Sequence, residues 1–209
     1  MVIQRFRPYF SGQGVQVEEL SKALVRRGAE VNIVAAVRKG EAALEERSDG
    51  VGICRLRCDL PGRGCSRLRR RLWSPTFALR TFFHLLHNRR GIDLVHVHGA
   101  NDALYAAGVF GRLFHVPVLF ELTLMGADDP ETVRNSKNWF ANIRYALYRG
   151  LPGYVAISPA LAQAYRKAGL PSDKLRTIPQ GVDVEKYRPV EDRASLRREL
   201  GASEGDPLL

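Results

Sequence analysis

Cysteine is scarce in this chain: three in 209 residues, Cys54, Cys58 and Cys65. An odd count without paired spacing excludes a disulfide framework and points to free thiols in a reducing compartment. A zinc site built on these cysteines would need a fourth ligand, and no histidine lies close to them in sequence. Long apolar runs are absent too. None approaches the roughly 20 residues needed to cross a bilayer, and the N-terminus has no signal-peptide pattern. The expected location is cytoplasmic, with peripheral contact at the inner face of the membrane as a candidate. Internal repeats and low-complexity tracts are missing. With 45% hydrophobic and 26% charged residues, the composition is that of a folded globular chain rather than a disordered one.

Acidic residues are absent from Leu60 to Ile92, where Arg63, Arg67, Arg69, Arg70, Arg71, Arg80, Arg89 and Arg90 all fall. Eight charges of the net +10 are thus concentrated in one stretch. Such a patch suits an anionic lipid, a phosphorylated substrate or nucleic acid. Within it, Arg67, Arg69, Arg70 and Arg71 alternate with Leu68, Leu72 and Trp73, a mixture that fits a membrane or anion contact. A solvated helix face with Leu and Trp packed inward accounts for the same residues.

Apolar periodicity orders the rest. Met1 to Ile3 reads as the end of a strand, and Val15 to Arg27 as an amphipathic helix closed by Gly28. Val31 to Ala36 and Val51 to Leu56 are strands. Arg67 to Asn88 is helical, with a break expected near Ser74-Pro75. Asp93 to His98 is a buried strand, Ala103 to Phe114 a helix capped by Asn101 or Asp102, and Pro117 to Phe120 the next strand. A loop from Glu121 to about Asn135 precedes a helix from Trp139 to Arg149. Strand Gly153 to Ile157, helix Pro159 to Ala168 with Ser158 as N-cap, and strand Leu175 to Ile178 follow. A charged helix is expected over Glu191 to Leu200, and Asp206 to Leu209 resembles the first step of another strand. Repeated strand–helix units predict an α/β fold, a doubly wound Rossmann-like parallel sheet with helices on both faces.

In such a sheet ligands gather beyond the carboxyl ends of the strands. Polar groups and glycines recur at five of these ends: Ser11 to Gly14, His98 to Asn101, Glu121 to Gly126, Ser158-Pro159 and Gln180 to Asp183. Gly12-Gln13-Gly14 is expected to turn before a helix N-terminus, where backbone N–H groups favour an anion. It is not a dinucleotide fingerprint, because Val17 stands where the third glycine would be. His96 and His98 share one strand face and suit metal binding, base chemistry or hydrogen bonding inside the sheet. His98 is nearer the crevice. Glu121 suits a general base or a ligand for sugar hydroxyls, and equally a loop-ordering role. Asp128 and Asp129 are a weak metal signal.

Together these segments resemble the N-terminal half of a GT-B glycosyltransferase of the family-4 type. The resemblance rests on Pro8 to Gly14, on Glu18 to Val31, on Asp93-Leu94-Val95-His96-Val97-His98-Gly99, on Val155 to Ser158, and on Ile178-Pro179-Gln180-Gly181-Val182-Asp183. It implies a retaining transfer of a sugar from a nucleotide-sugar to a glycan or lipid-linked acceptor, with no metal, no cofactor and no nucleic-acid partner. Residues 1–183 would form the acceptor-binding domain, its first strand cut short. Residues 184–209 would be the hinge and start of a donor-binding domain. Gly12, Gln13 and Gly14 would face the donor diphosphate, His98 and Glu121 would serve as catalytic residues lining the acceptor pocket, and Asn101, Thr123 and Ser158 would bind the acceptor. Gly181 and Asp183 would hold the hinge. The chain departs from the family pattern in three places: Gln13 separates two glycines that are often adjacent, Gln180 replaces an asparagine, and Glu121 stands where a histidine is common. Two other classes remain open. One is an NADP-dependent oxidoreductase using Arg38 on a 2′-phosphate. The other is a non-enzymatic module that binds membrane or polyanion through Arg67 to Arg90.

Overall fold

Among the described residues, eight strands form one sheet in the order β3-β4-β2-β1-β5-β6-β7-β8. They are β1 (Val2–Ile3), β2 (Asn32–Val37), β3 (Glu45–Ser48), β4 (Val51–Arg57), β5 (Val95–His98), β6 (Val118–Leu122), β7 (Gly153–Ala156) and β8 (Leu175–Thr177). All pairings are parallel except β3 with β4. The helices are α1 (Gly12–Arg26), α2 (Arg67–His87), α3 (Asp102–Phe114), α4 (Pro130–Arg134), α5 (Ala141–Arg149), α6 (Pro159–Lys167) and α7 (Arg193–Glu199). The computed structural model describes residues 1–58, 67–136, 140–188 and 192–203, with the side chains of 67–72 excepted.

Two cores account for the near-continuous apolar strands. Val34 and Ala36 of β2 pack into the cluster that holds Val97, Phe110, Phe120 and Tyr154. Ile33 and Ala35 face the opposite cluster, with Ile3, Phe6, Val17 and Ile53. A strand covered on both faces needs apolar side chains at both parities, which is why β2 reads as a run rather than an alternation. In the larger core Tyr148 and Tyr154 meet Phe120 edge-on and each other at a tilt, and Tyr165 packs on Tyr154. Each hydroxyl is partnered: Tyr148 donates to Asp128 O at 3.0 Å, Tyr165 to Pro171 O at 3.2 Å, and Tyr154 to Tyr148 O. Burial raises all three phenols, Tyr165 to about 12.

Four local expectations are corrected. α1 begins at Gly12, so the two glycines sit in the first helical turn and not in a turn before it; Ser11 is the N-cap, accepting from Gly14 N at 2.9 Å. α2 runs unbroken through Pro75. Proline removes one helical hydrogen bond, but Phe77, Thr81 and Leu85 are buried along the same helix and hold its path. β3 was not expected, because Glu45-Glu46-Arg47-Ser48 has no apolar alternation. It is an edge strand joined to β4 by the two-residue turn Asp49-Gly50, both at positive φ, and anchored by Arg55 to Glu46 at 2.7 Å. The expected loop after Phe120 instead keeps Glu121 and Leu122 in β6 and contains α4, capped by Asp129. The strand-like Asp206 to Leu209 and part of the expected Trp139 helix start lie outside the described residues.

Candidate functional site

β1 lies between β2 on one side and β5 on the other, so the chain order reverses there. In a doubly wound sheet this switch point opens a crevice at the carboxyl ends of the strands. A cleft of about 400 Å³ occupies that position. Gln4 follows β1, Gln13 comes from the first turn of α1, His98 to Asn101 from the end of β5, and Thr123 with Asp128 from the segment after β6. Ile157 and Gln180 close it from the ends of β7 and β8.

One buried carboxylate organises most of this surface. Asp128 is 3% exposed. Its Oδ1 accepts from Ala100 N at 2.7 Å, and its Oδ2 accepts from Thr123 N, Thr123 Oγ1 and Leu124 N at 2.9, 2.7 and 2.9 Å. The β5 and β6 loops are thereby tied to one group. Thr123 Oγ1, having donated to Asp128, accepts from Gln13 Nε2 at 3.0 Å. That bond spans the cleft floor from α1 to the β6 loop. The Gln13 amide lies over Gly99, where a Cβ would come within 3.1 Å of it, and Gly99 has a φ of +78°. The positive φ favours glycine there, and an added Cβ would also push the Gln13 amide aside. Asp129 plays a parallel part next door, accepting from Gly126 N, Thr132 N and Thr132 Oγ1 at 2.7, 2.9 and 2.8 Å. Burial alone would raise its carboxyl, but those donors outweigh burial and hold it below the usual range. The aspartate pair is thus a loop-ordering device. Its adjacency in sequence carried no hint of that.

Beneath the cleft, His96 and His98 stand on one face of β5 with ring centroids 4.1 Å apart. Glu121 pairs with His98 in the β5–β6 register. Its Oε2 is 3.5 Å from His98 Nδ1 and 3.6 Å from His96 Nε2. Burial, with the neighbouring His98 adding to it, pushes the His96 imidazole down to about 2, so His96 is neutral.

The sequence-derived candidates divide as follows. Gln13, His98, Asn101 and Thr123 line the cleft. Glu121 does not; it lies behind His98 because β6 continues past Phe120 and keeps it within the sheet. Asn101 also caps α3, accepting from Ala103 N at 2.9 Å. Ser158 is spent as the cap of α6, accepting from Leu161 N at 3.3 Å. Gly14 is buried against the end of β1: a Cβ there would sit 2.8 Å from Ser11 Oγ and 3.2 Å from Arg5 O. A Cβ on Gly12 would meet nothing within 4 Å. Gly14 lines a second cavity of about 210 Å³ with Phe6, Tyr9 and Phe10 rather than the main cleft. Asp183 caps a turn, accepting from Glu185 N and Lys186 N at 3.1 Å each, while Gly181 lies exposed beside it. Gln180, two residues before Val182, is the member of that segment that reaches the cleft. Trp73 packs against the main core and is not displayed outward. The side chains of Arg67, Arg69, Arg70 and Arg71 lie outside the described residues. Arg38 is engaged by Glu41 at 3.2 Å. Gln4 was named in no reading of the sequence, Asp128 only as a weak metal signal, and Gln180 only among the strand ends and in the interdomain motif, whereas all three line the cleft.

This sheet, with its switch-point cleft, is the Rossmann-like half of a GT-B fold. It matches HepE of Anabaena in complex with UDP and glucose (TM-score 0.58, 16% identity, covering 96% of this chain and 49% of that one). It also matches sucrose-phosphate synthase of Thermosynechococcus elongatus (0.64, 18%, 94% and 49%). A third match is an α,α-trehalose-phosphate synthase (UDP-forming) of Burkholderia vietnamiensis (0.50, 17%, 96% and 53%). The chain thus spans about half the length of these structures. No curated protein matches it in sequence. Residues 10–186 match the model of Glycosyltransferase Family 4, and the chain belongs to that family.

Proposed function

We propose that this chain is the acceptor-side half of a glycosyltransferase that moves a sugar from a nucleotide-sugar, a UDP-sugar as in HepE, to a glycan or lipid-linked acceptor with retention. The observation that carries the reading is the polar cleft at the switch point of a family-4 chain, preorganised by the Asp128–Thr123–Gln13 relay. Residues 1–183 form the acceptor domain. Residues 184–209 lead into the donor domain, and the turn capped by Asp183 after Gly181 serves as the hinge. The α1 N-terminus, with Gly12 and Gln13, meets the donor diphosphate through backbone N–H groups and the helix dipole. The transfer draws on no cofactor.

Within the cleft, Thr123 receives a sugar hydroxyl, and His98, a lining residue whose ring nitrogens are buried, shapes the cleft wall beside Asn101. Glu121 acts through His98 as a positioning residue, since it touches the imidazole and not the cleft. Preorganised hydrogen-bond groups stabilise charge that develops in the transition state without reorganising at the moment of reaction. Gly14 supports this indirectly by letting α1 seat on β1. A peripheral stay at an anionic inner membrane face is supported by the acid-free stretch and by Leu79 and Phe83, exposed four residues apart on α2.

The test uses the full-length protein. Incubation with a panel of nucleotide-sugars and a lipid-linked acceptor pool should yield a glycosylated product whose anomeric configuration, read by NMR, matches that of the donor. Inversion would remove retention from the account. No product with any donor would remove the transferase reading.

A further inference from the structure

Three buried side chains, His96, His98 and Glu121, meet below the cleft, and the two imidazoles lack the partners that such groups normally have. His96 Nε2 and both ring nitrogens of His98 are shut from solvent and have no hydrogen-bond partner. Side-chain exposure is 12% for His96, 1% for His98 and 9% for Glu121. Unpartnered buried polar atoms are rare in folded proteins, and three in adjoining rings point to an occupant. One ligand atom from each of the three residues can be chosen so that all lie within 4.8 Å of one another.

We propose that His96, His98 and Glu121 bind one divalent transition-metal ion, zinc by the chemistry of the donor set, through Nε2, Nδ1 and Oε2 respectively. Zinc bonds of about 2.0–2.1 Å in a tetrahedron set ligand atoms roughly 3.3–3.4 Å apart. The two separations from Glu121 Oε2, 3.5 and 3.6 Å, need only a slight contraction. Two imidazoles with one carboxylate are a common zinc set. Neutral imidazole is the form that ligates. A strand pair supplies the rigidity: His98 and Glu121 are opposite one another in the β5–β6 register, and His96 is one step along the same face.

Two consequences follow. The ion pins β5 to β6 under the cleft floor. It also fixes the His98 tautomer, because a metal on Nδ1 leaves the ring proton on Nε2. The ion sits in the protein interior and not on a donor diphosphate; it shares His98 and Glu121 with the proposed transferase cleft, and it is compatible with the metal-free transfer that the family resemblance implies. A proton shared between Glu121 and one imidazole is the competing occupant, but it leaves the other ring unsatisfied.

Tag-free protein purified without chelator should carry one zinc per chain by plasma mass spectrometry. After metal stripping, zinc at a hundredfold excess over its Kd should raise Tm by about 5–10 °C. Cobalt should give the visible band of a tetrahedral site. His96→Gln and Glu121→Gln should each lose the metal and the Tm response. If a variant fails to fold, the cobalt spectrum and metal content of the unmodified protein decide alone. Less than a tenth of an equivalent of zinc with no Tm response overturns the site and leaves the shared proton. Full metal retention in both variants also overturns it, and directs attention to the Cys54 Sγ–His84 Nδ1 pair, 3.6 Å apart.

Discussion

Replacing Asp128 tests whether one carboxylate organises the cleft. In Asp128→Ala three backbone N–H groups and the Thr123 hydroxyl lose their acceptor at once. Hydrogen bonds to a charged group contribute about 1.5–3 kcal/mol each, but their sum overstates the loss because the freed loop can turn some donors to water. A net cost of about 3–4 kcal/mol is expected, the range of a broken buried network. For a chain of this size that is a fall in Tm of about 6–16 °C. Asp128→Asn should cost less, about 2 kcal/mol. The amide keeps one oxygen for the three donors of the Thr123–Leu124 side, and it sets its NH₂ against Ala100 N. Urea melts of the two variants measure both values. Costs below 1 kcal/mol for the alanine variant, or an asparagine variant as damaged as alanine, would refute the claim that the carboxylate is the hub.

Three further outcomes follow from particular residues. Gly14→Ala should destabilise by about 1–3 kcal/mol through overpacking against Arg5 O and Ser11, whereas Gly12→Ala should be neutral or stabilising by up to about 1 kcal/mol; thermal melts that rank the two the other way contradict the packing argument. The Asp129 carboxyl is held below its ordinary range, so its contribution is full above the unfolded value near 3.8 and is lost as pH falls through the lower folded value; acid melts of Asp129→Asn should therefore show a shallower acid limb, and coincident limbs would discount the capping bonds. Vesicles containing anionic lipid should sediment the protein at low salt and release it at high salt, with Phe83→Ser weakening the interaction; binding unaffected by salt would remove the basic helix from the account.

Much of the fold was legible because both physical signals were strong. A buried parallel strand such as β2 is a near-continuous apolar run, and Ser11, Asn101 and Ser158 mark helix starts by cap chemistry. The missed strand β3 is held by pairing along an edge and by the Arg55 guanidinium, neither of which leaves a pattern in Glu45 to Ser48. The Asp49-Gly50 turn was the one available clue. Around the cleft, location after a strand drew attention to His98, Asn101 and Thr123, which line it. It did not separate Glu121 from them, because one more residue of strand turns a side chain from the crevice into the sheet. Asp128 was read only as a weak metal signal for a different reason. Thr123 and Leu124 are close to it in sequence, but Ala100, the partner that ties the two loops together, is brought to it by the β5–β6 pairing.

The most direct test of the central claim is release of nucleoside diphosphate from nucleotide-sugars by the full-length protein, compared with its His98→Ala and Thr123→Val variants. The account predicts acceptor-dependent release by the unmodified protein, with kcat/KM lowered about a hundredfold by the loss of His98 and about tenfold by the loss of the Thr123 hydroxyl, in line with the loss of single positioned groups. Release that is unchanged in both variants would show that the cleft at the β1–β5 switch point is not where the sugar is transferred.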